Sequence, residues 1–345
     1  MTIRPSVETA AISTAAVLVA LLLFGGFAAA RGLDPLEVYR VLYVGAFGTW
    51  FAVQNTLAQA APLMLTALCT AVPARAGLLV IGGEGALVIG GLATVLAGVP
   101  LASAPAPLGI ALLCAAGAVA GGLWVGAAGA LRHWRGVNET ISTLLLNYIA
   151  IAVLNHLITG PIRDFAQVLK PASWSLGEHL RIGDVPGTSV HWGLAFGVAA
   201  CALLWVLMRR TTFGFAVDIL GGNVRAARMA GLPIGAMVLV ACFLGGAAAG
   251  LAGAVEVIAV HGFASSSLVV GYGYAGILVA FLARQNPLAI VFVSVLLGGI
   301  SASGGLLQRR FGLPDAATLV LRGLLFVAVL ASTTLYGRLR VFRRP

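Results

Sequence analysis

The chain reads as a series of long apolar runs, each near the ~20 residues that carry a helix across a ~30 Å hydrocarbon core. Short clusters of arginine, proline and paired glycine separate them. Helices are predicted over residues 10–30, 56–73, 77–98, 107–131, 140–159, 190–208, 236–260, 287–307 and 314–336. Residues 271–283 add an apolar stretch of about 13 residues, too short to stand upright in a bilayer, and predict a tilted or re-entrant helix. A backbone inside lipid must satisfy its own hydrogen bonds, so the pattern predicts an all-α polytopic membrane protein with about ten transmembrane or re-entrant helices. One domain, residues 1–345, holds them all.

Five stretches depart from the pattern. The first run ends in Ala28-Ala29-Ala30-Arg31, like a signal peptide with a small-residue cleavage site, but at about 20 residues it is long for one and reads as a retained span. Residues 34–51 are mixed and aromatic, an expected interfacial or outer connection. Gly82-Gly83-Glu84-Gly85 interrupts the third run, and residues 160–188 form a long polar connection. Residues 209–235, RRTTFGFAVDILGGNVRAARMAGLPIG, are too polar for lipid and read as a helix-turn-helix patch. Within it Ala226, Ala227 and Ala230 make a small flat face, and Gly231 stops the helix before Pro233. Such a face suits docking into a groove on another protein.

Composition fixes the class. With 60% hydrophobic and 9% charged residues, the chain is far from the about 25% charged content of soluble domains. All but Lys170 of its 21 basic residues are arginine, set at the ends of apolar runs, so the net charge of +10 is an orientation signal and not a nucleic-acid surface. Counting spans puts Arg4, Arg75, Arg132, Arg135, Arg209, Arg210, Arg225, Arg228, Arg284, Arg338, Arg340, Arg343 and Arg344 on one side. Arg31, Arg40, Arg163, Lys170, Arg181, Arg309 and Arg310 fall on the other. The richer side is cytoplasmic by the positive-inside rule, which places residues 209–235 and both termini inside. Residues 160–188 balance Arg163, Lys170 and Arg181 against Asp164, Glu178 and Asp184, as suits an outer loop. Arg309-Arg310 runs against the tally and leaves the order of the last segments open.

Cys69, Cys114, Cys201 and Cys242 fall in separate apolar runs without metal-binding spacing, so neither a metal nor a disulfide is expected. His133, His156, His179, His191 and His261 likewise lack a second ligand. No phosphate-binding GxxxxGK[ST] loop and no nucleophile cluster occurs, so the chain is expected to be no enzyme, to carry no cofactor and to take any ATP-driven work from a partner. Glu84, Glu256 and Arg322 lie inside apolar runs, where each charge costs about 2.5 to 3.5 kcal/mol. Glu84 is either a carboxylate on the solute path or a buried one bonded to broken backbone; Glu256 and Arg322 read as helix-to-helix ion-pair partners, such as of each other. Glu139, Thr140, Thr143 and Asn147 share one face of the fifth run, and that stripe either lines a watery path or bonds across to other helices. Tyr272 and Tyr274, set between glycines, are either a stacking platform for a flat ring or sugar, or part of an interfacial aromatic belt.

Several stretches together resemble the permease subunits of ATP-binding cassette (ABC) importers for simple sugars and nucleosides, the kind served by basic-membrane-protein-type binding lipoproteins. They are Arg75-Ala76-Gly77-Leu78 with Ile81 to Gly85, Asn138 to Tyr148, Asn223 to Leu232, Ala252-Gly253-Ala254-Val255-Glu256, and Gly271-Tyr272-Gly273-Tyr274 with Asn286-Pro287. Val80, Ala86 and Ala275 stand where the family usually has Asn, Gln and Asp, each a loss of a polar group. The resemblance implies a multi-pass permease of the bacterial cytoplasmic (inner) membrane that pairs with a second permease as a heterodimer. A cytoplasmic ABC ATPase would dock on a coupling helix around Gly221, Asn223, Arg225, Ala226, Ala227, Arg228 and Gly231, and an extracytoplasmic substrate-binding protein would deliver the solute. Glu84, Glu139, Thr143, Asn147, Tyr272 and Tyr274 are the expected solute-path residues. The competing expectation is a self-sufficient secondary transporter or channel, in which the glycine breaks near Glu84 and Gly271 would be matched broken helices.

Overall fold

The computed structural model describes residues 4–166, 170–314 and 316–333. Among them the regular elements are helices, joined by three isolated β-bridges and no longer strand. In chain order they are α1 (Arg4–Ala30), α2 (Pro35–Phe47), α3 (Trp50–Arg75), α4 (Gly83–Gly98), α5 (Ala106–Arg135), α6 (Glu139–Thr159) and α7 (Gly193–Arg210). After these come α8 (Thr212–Gly222), α9 (Val224–Met229), α10 (Ile234–Val255), α11 (Tyr272–Leu282), α12 (Pro287–Phe311) and α13 (Ala316–Thr333). Among the described residues six helices are long and apolar enough to span a bilayer, or seven if α1 and α2, bent by 115°, count as one.

The differences from the predicted pattern have local causes. Residues 34–51 are mostly α2 rather than a connection, because Asp34 accepts the Leu36 N–H at 3.0 Å and Pro35 occupies the first helical position, where its missing N–H costs nothing. The third run is no continuous span: residues 78–81 are not helical, and α4 begins only at Gly83, 16 residues long. The predicted end at Tyr336 and the four tail arginines lie outside the described residues.

Two compact units divide the chain, one built from described residues up to 59 and from 295 onward, the other from residues 60–294. In the first, α1 packs along α13, and α2 crosses α12 where a Cβ at Gly45 would come within 2.9 Å of the Ser303 Cβ. In the second, α4, α5 and α10 pack together. Lipid supplies no hydrophobic drive between helices, so close backbone approach does the work. A Cβ on Gly250 would sit 2.2 Å from the Gly117 carbonyl oxygen, and one on Gly246 would sit 2.4 Å from that of Gly121. Gly246 and Gly250, four residues apart on α10, therefore both face α5.

Beyond α10 the chain continues as a π-helical turn, Glu256–His261. The loop after α6 straps across it: Ser173, Leu176 and Ile182 donate their N–H groups to the carbonyls of Ala264, Gly262 and Ile258 at 2.9, 2.8 and 3.0 Å. Leu176 and Leu180 of this loop cover Gly98 and Gly109, at the end of α4 and the start of α5. His191 closes the loop; its burial holds the imidazole below the usual histidine range, against an opposing pull from Asp184. Glu256 lies 3.6 Å from His261 Nε2, and Arg322 donates to the Ser301 hydroxyl. Each thus has a partner within its own unit.

Candidate functional site

Where the backbone leaves the helical pattern after α3, its polar groups must be satisfied inside an apolar surrounding. The side chains that do this come from α6 and α3. Glu139 accepts from Leu79 N–H at 3.4 Å, and Thr140 donates to the Leu79 carbonyl at 2.8 Å. Thr70 donates to the Val80 carbonyl at 3.1 Å, and Thr143 accepts from Ile81 N–H at 3.2 Å. Asn147 uses both ends of its amide, donating to the Ile81 carbonyl at 3.0 Å and accepting from Gly85 N–H at 2.8 Å. The polar stripe on α6 thus bonds across to another segment. Arg132 reaches Glu139 at 3.3 Å from the end of α5.

The start of α11 is held in the same way. Gly271 has φ +87°, a left-handed conformation that glycine adopts without strain, and it turns the chain into the helix. The two oxygens of Glu84 accept from Gly271 N–H at 2.8 Å and Gly273 N–H at 2.6 Å, so one carboxylate caps α11 from α4. A Cβ on Gly273 would fall 2.0 Å from the Glu84 backbone nitrogen, and Thr66 of α3 donates to the Tyr272 carbonyl at 3.0 Å. Glu84 and Asn147 are wholly buried, with Thr143 and Glu139 nearly so. Tyr272 and Tyr274 do not form a paired platform. Two positions apart on a helix they diverge: Tyr272 packs on the core beside α4, while Tyr274 is 40% exposed.

Between α7 and α10 stand the short helices α8 and α9. Thr211 caps α8 by accepting from Gly214 N–H at 3.3 Å, and Asn223 caps α9 by accepting from Arg225 and Ala226 N–H at 2.9 and 3.2 Å. Gly231, at φ +72°, ends the pair as expected. The pair is fixed to the end of α3 by a two-pronged contact of Arg75 with Asp218, at 2.9 and 2.5 Å, and by Gly221, whose Cβ would meet the Arg75 carbonyl at 2.0 Å. The expected alanine face is corrected in one member: Ala227 is fully buried, turned toward the protein. The outward face is Arg225, Ala226, Arg228, Met229 and Ala230, with Met229 87% exposed. Met229 was missed because a lone methionine in a basic stretch carries no signal until its burial is known. Among the described residues no three histidine, cysteine or acidic side chains gather to hold a metal.

Residues 52–330 match the family model described as branched-chain amino acid transport system / permease component. The chain belongs to this family. It is 32% identical to the glucose ABC transporter permease protein of Haloferax volcanii, over 92% of this chain and 86% of that one. The guanosine ABC transporter permease protein NupP of Bacillus subtilis is 29% identical over 90% and 88%. A nucleoside ABC transporter permease protein of Lactococcus lactis, NupB, is 27% identical over 77% and 76%. The protein is therefore a multi-pass inner-membrane permease subunit of an ABC importer, a transport component whose ATPase is a separate chain. A substrate-binding protein completes such a system, and the self-sufficient transporter falls away.

Proposed function

We propose that this permease imports a nucleoside or a simple sugar, pairs with a second, different permease, and takes its power stroke at α8–α9 on the cytoplasmic face. The observation that carries the coupling role is the exposed Arg225, Ala226, Met229 surface on a helix pair clamped to α3. The relatives' named cargoes, glucose, guanosine and nucleosides, support the substrate class.

The mechanical route runs through side chains already described. ATPase closure displaces α8–α9; the close contact of Gly221 with the Arg75 carbonyl passes the displacement to α3; Thr66 and Glu84 pass it to the re-entrant α11. Glu84, Glu139, Thr143 and Asn147 act as positioning residues that keep the broken segments in place. Tyr274 is the solute contact, offering a ring face and a hydroxyl.

The experiment is co-purification from the native membrane with a mild detergent. Wild-type chain is expected to bring down an ATPase with a phosphate-binding loop and a second permease, while Ala226→Trp keeps the permease and loses the ATPase. An Ala226→Trp chain that retains the ATPase and normal uptake removes the coupling role. Uptake of labelled solute, competed by unlabelled guanosine or glucose, then separates the two substrate classes.

A further inference from the structure

Within the first unit, α2, the start of α3 and the last turns of α12 enclose a cavity of about 540 Å³ that the transport reading leaves unused. Its wall mixes polar and apolar side chains. Arg309, Gln308 and Asn55 supply polar groups, and Val44, Phe51 and Leu306 supply apolar surface; no carboxylate lines it. Arg309 is exposed and makes no hydrogen bond or ion pair among the described residues. Gly305 opens the floor: it lies inside a helix, where glycine is disfavoured, yet nothing stands within 4 Å of where its Cβ would be. Packing does not demand glycine there, whereas any side chain would enter the cavity.

The position along the membrane normal selects the ligand. α12 has 25 residues and at 1.5 Å per residue is about 37 Å long, more than the hydrocarbon core needs. Arg309, in its last turn, is therefore set at headgroup depth, and Leu306, one turn before it, lies nearer the acyl chains.

We propose that this cavity seats the phosphate of an anionic membrane phospholipid, with Arg309 and Gln308 on the phosphate and the upper acyl chain on Phe51 and Leu306. A guanidinium with no carboxylate partner among the described residues, on a concave wall that mixes polar and apolar side chains, matches a group that is itself anionic at one end and apolar at the other. The same cationic wall would take free phosphate, and the test separates the two.

Full-length chain, stripped of lipid in a neutral detergent, is titrated with phosphatidylglycerol, phosphatidylcholine or inorganic phosphate and followed by native mass spectrometry. One phosphatidylglycerol is expected to bind ahead of phosphatidylcholine. Arg309→Gln should weaken it about tenfold, the scale of one charge-assisted bond at a membrane surface. Arg310→Gln, which removes the neighbouring charge outside the cavity wall, should leave it unchanged, and Gly305→Leu should abolish it by filling the space. Equal losses in Arg309→Gln and Arg310→Gln, or unchanged binding in Arg309→Gln and Gly305→Leu, overturn the site. Displacement of the lipid by inorganic phosphate at the lipid's own concentration assigns the site to free phosphate and overturns the lipid.

Discussion

Glu84 is tolerated inside an apolar chain because two N–H groups at the start of α11 have no other acceptor. Removing the carboxylate strands both of them in a buried site, so Glu84→Ala should cost about 3 kcal/mol, given roughly 1 to 3 for each orphaned donor. Glu84→Gln should cost less, keeping one acceptor but turning an NH2 group toward a donor. The check is the thermal midpoint of purified permease in one detergent; equal midpoints for wild type and Glu84→Ala would remove the capping role. The sequence made half of this legible. Glycines around Glu84 announced broken backbone, but Gly271 and Gly273 lie 187 and 189 residues away, a pairing that depends on how α4 and α11 meet. For the same reason the Gly-Tyr-Gly-Tyr stretch drew notice to its rings, when the glycines set the turn and the close approach.

At the scale of elements, α8 and α9 show which contacts a coupling device depends on. The Arg75–Asp218 pair is half open to water on the aspartate side, so losing it should cost under about 1 kcal/mol. Gly221 is different, because its Cβ would overlap the Arg75 carbonyl backbone and force the helices apart. Asp218→Asn should therefore transport nearly as wild type, whereas Gly221→Ala should lose most uptake while membrane insertion and expression stay normal. Uptake scaled to protein in the membrane tests the order of the two, and the reverse order would show the ion pair, not the close contact, to be the link. The long helices were legible from apolar run length and the end at Gly231 from local chemistry, whereas α2, in a mixed and aromatic stretch, was not. The loss of helix at residues 78–81 was not, because it is stabilised by Glu139, Thr140, Thr143 and Asn147, whose stripe on α6 allowed two readings. Once the broken backbone and its partners are paired, the stripe is accounted for donor by acceptor.

Orientation belongs to the whole molecule, and within residues 60–294 charge and contact agree. Arg75 meets Asp218, Arg132 meets Glu139, and His133 packs at Gly235, which ties the ends of α3, α5 and α8 and the starts of α6 and α10 to one end of the unit. Arg135 ends α5, Arg209 and Arg210 end α7 directly before α8, and Arg225 and Arg228 lie on α9. The opposite end carries the strap of residues 160–166 and 170–192, where Arg163, Lys170 and Arg181 balance Asp164, Glu178 and Asp184. This asymmetry predicts that the α8–α9 end is cytoplasmic. Gly222 and Gly183 are exposed, with open space at each Cβ, and the four native cysteines are buried, so single-cysteine labelling has a low background. Gly222→Cys should react with a membrane-impermeant maleimide only in inside-out vesicles, and Gly183→Cys only in right-side-out ones. Labelling in the opposite vesicles would invert the permease, put α8–α9 out of reach of any cytoplasmic ATPase, and with that end the proposed coupling route from Ala226 to α11.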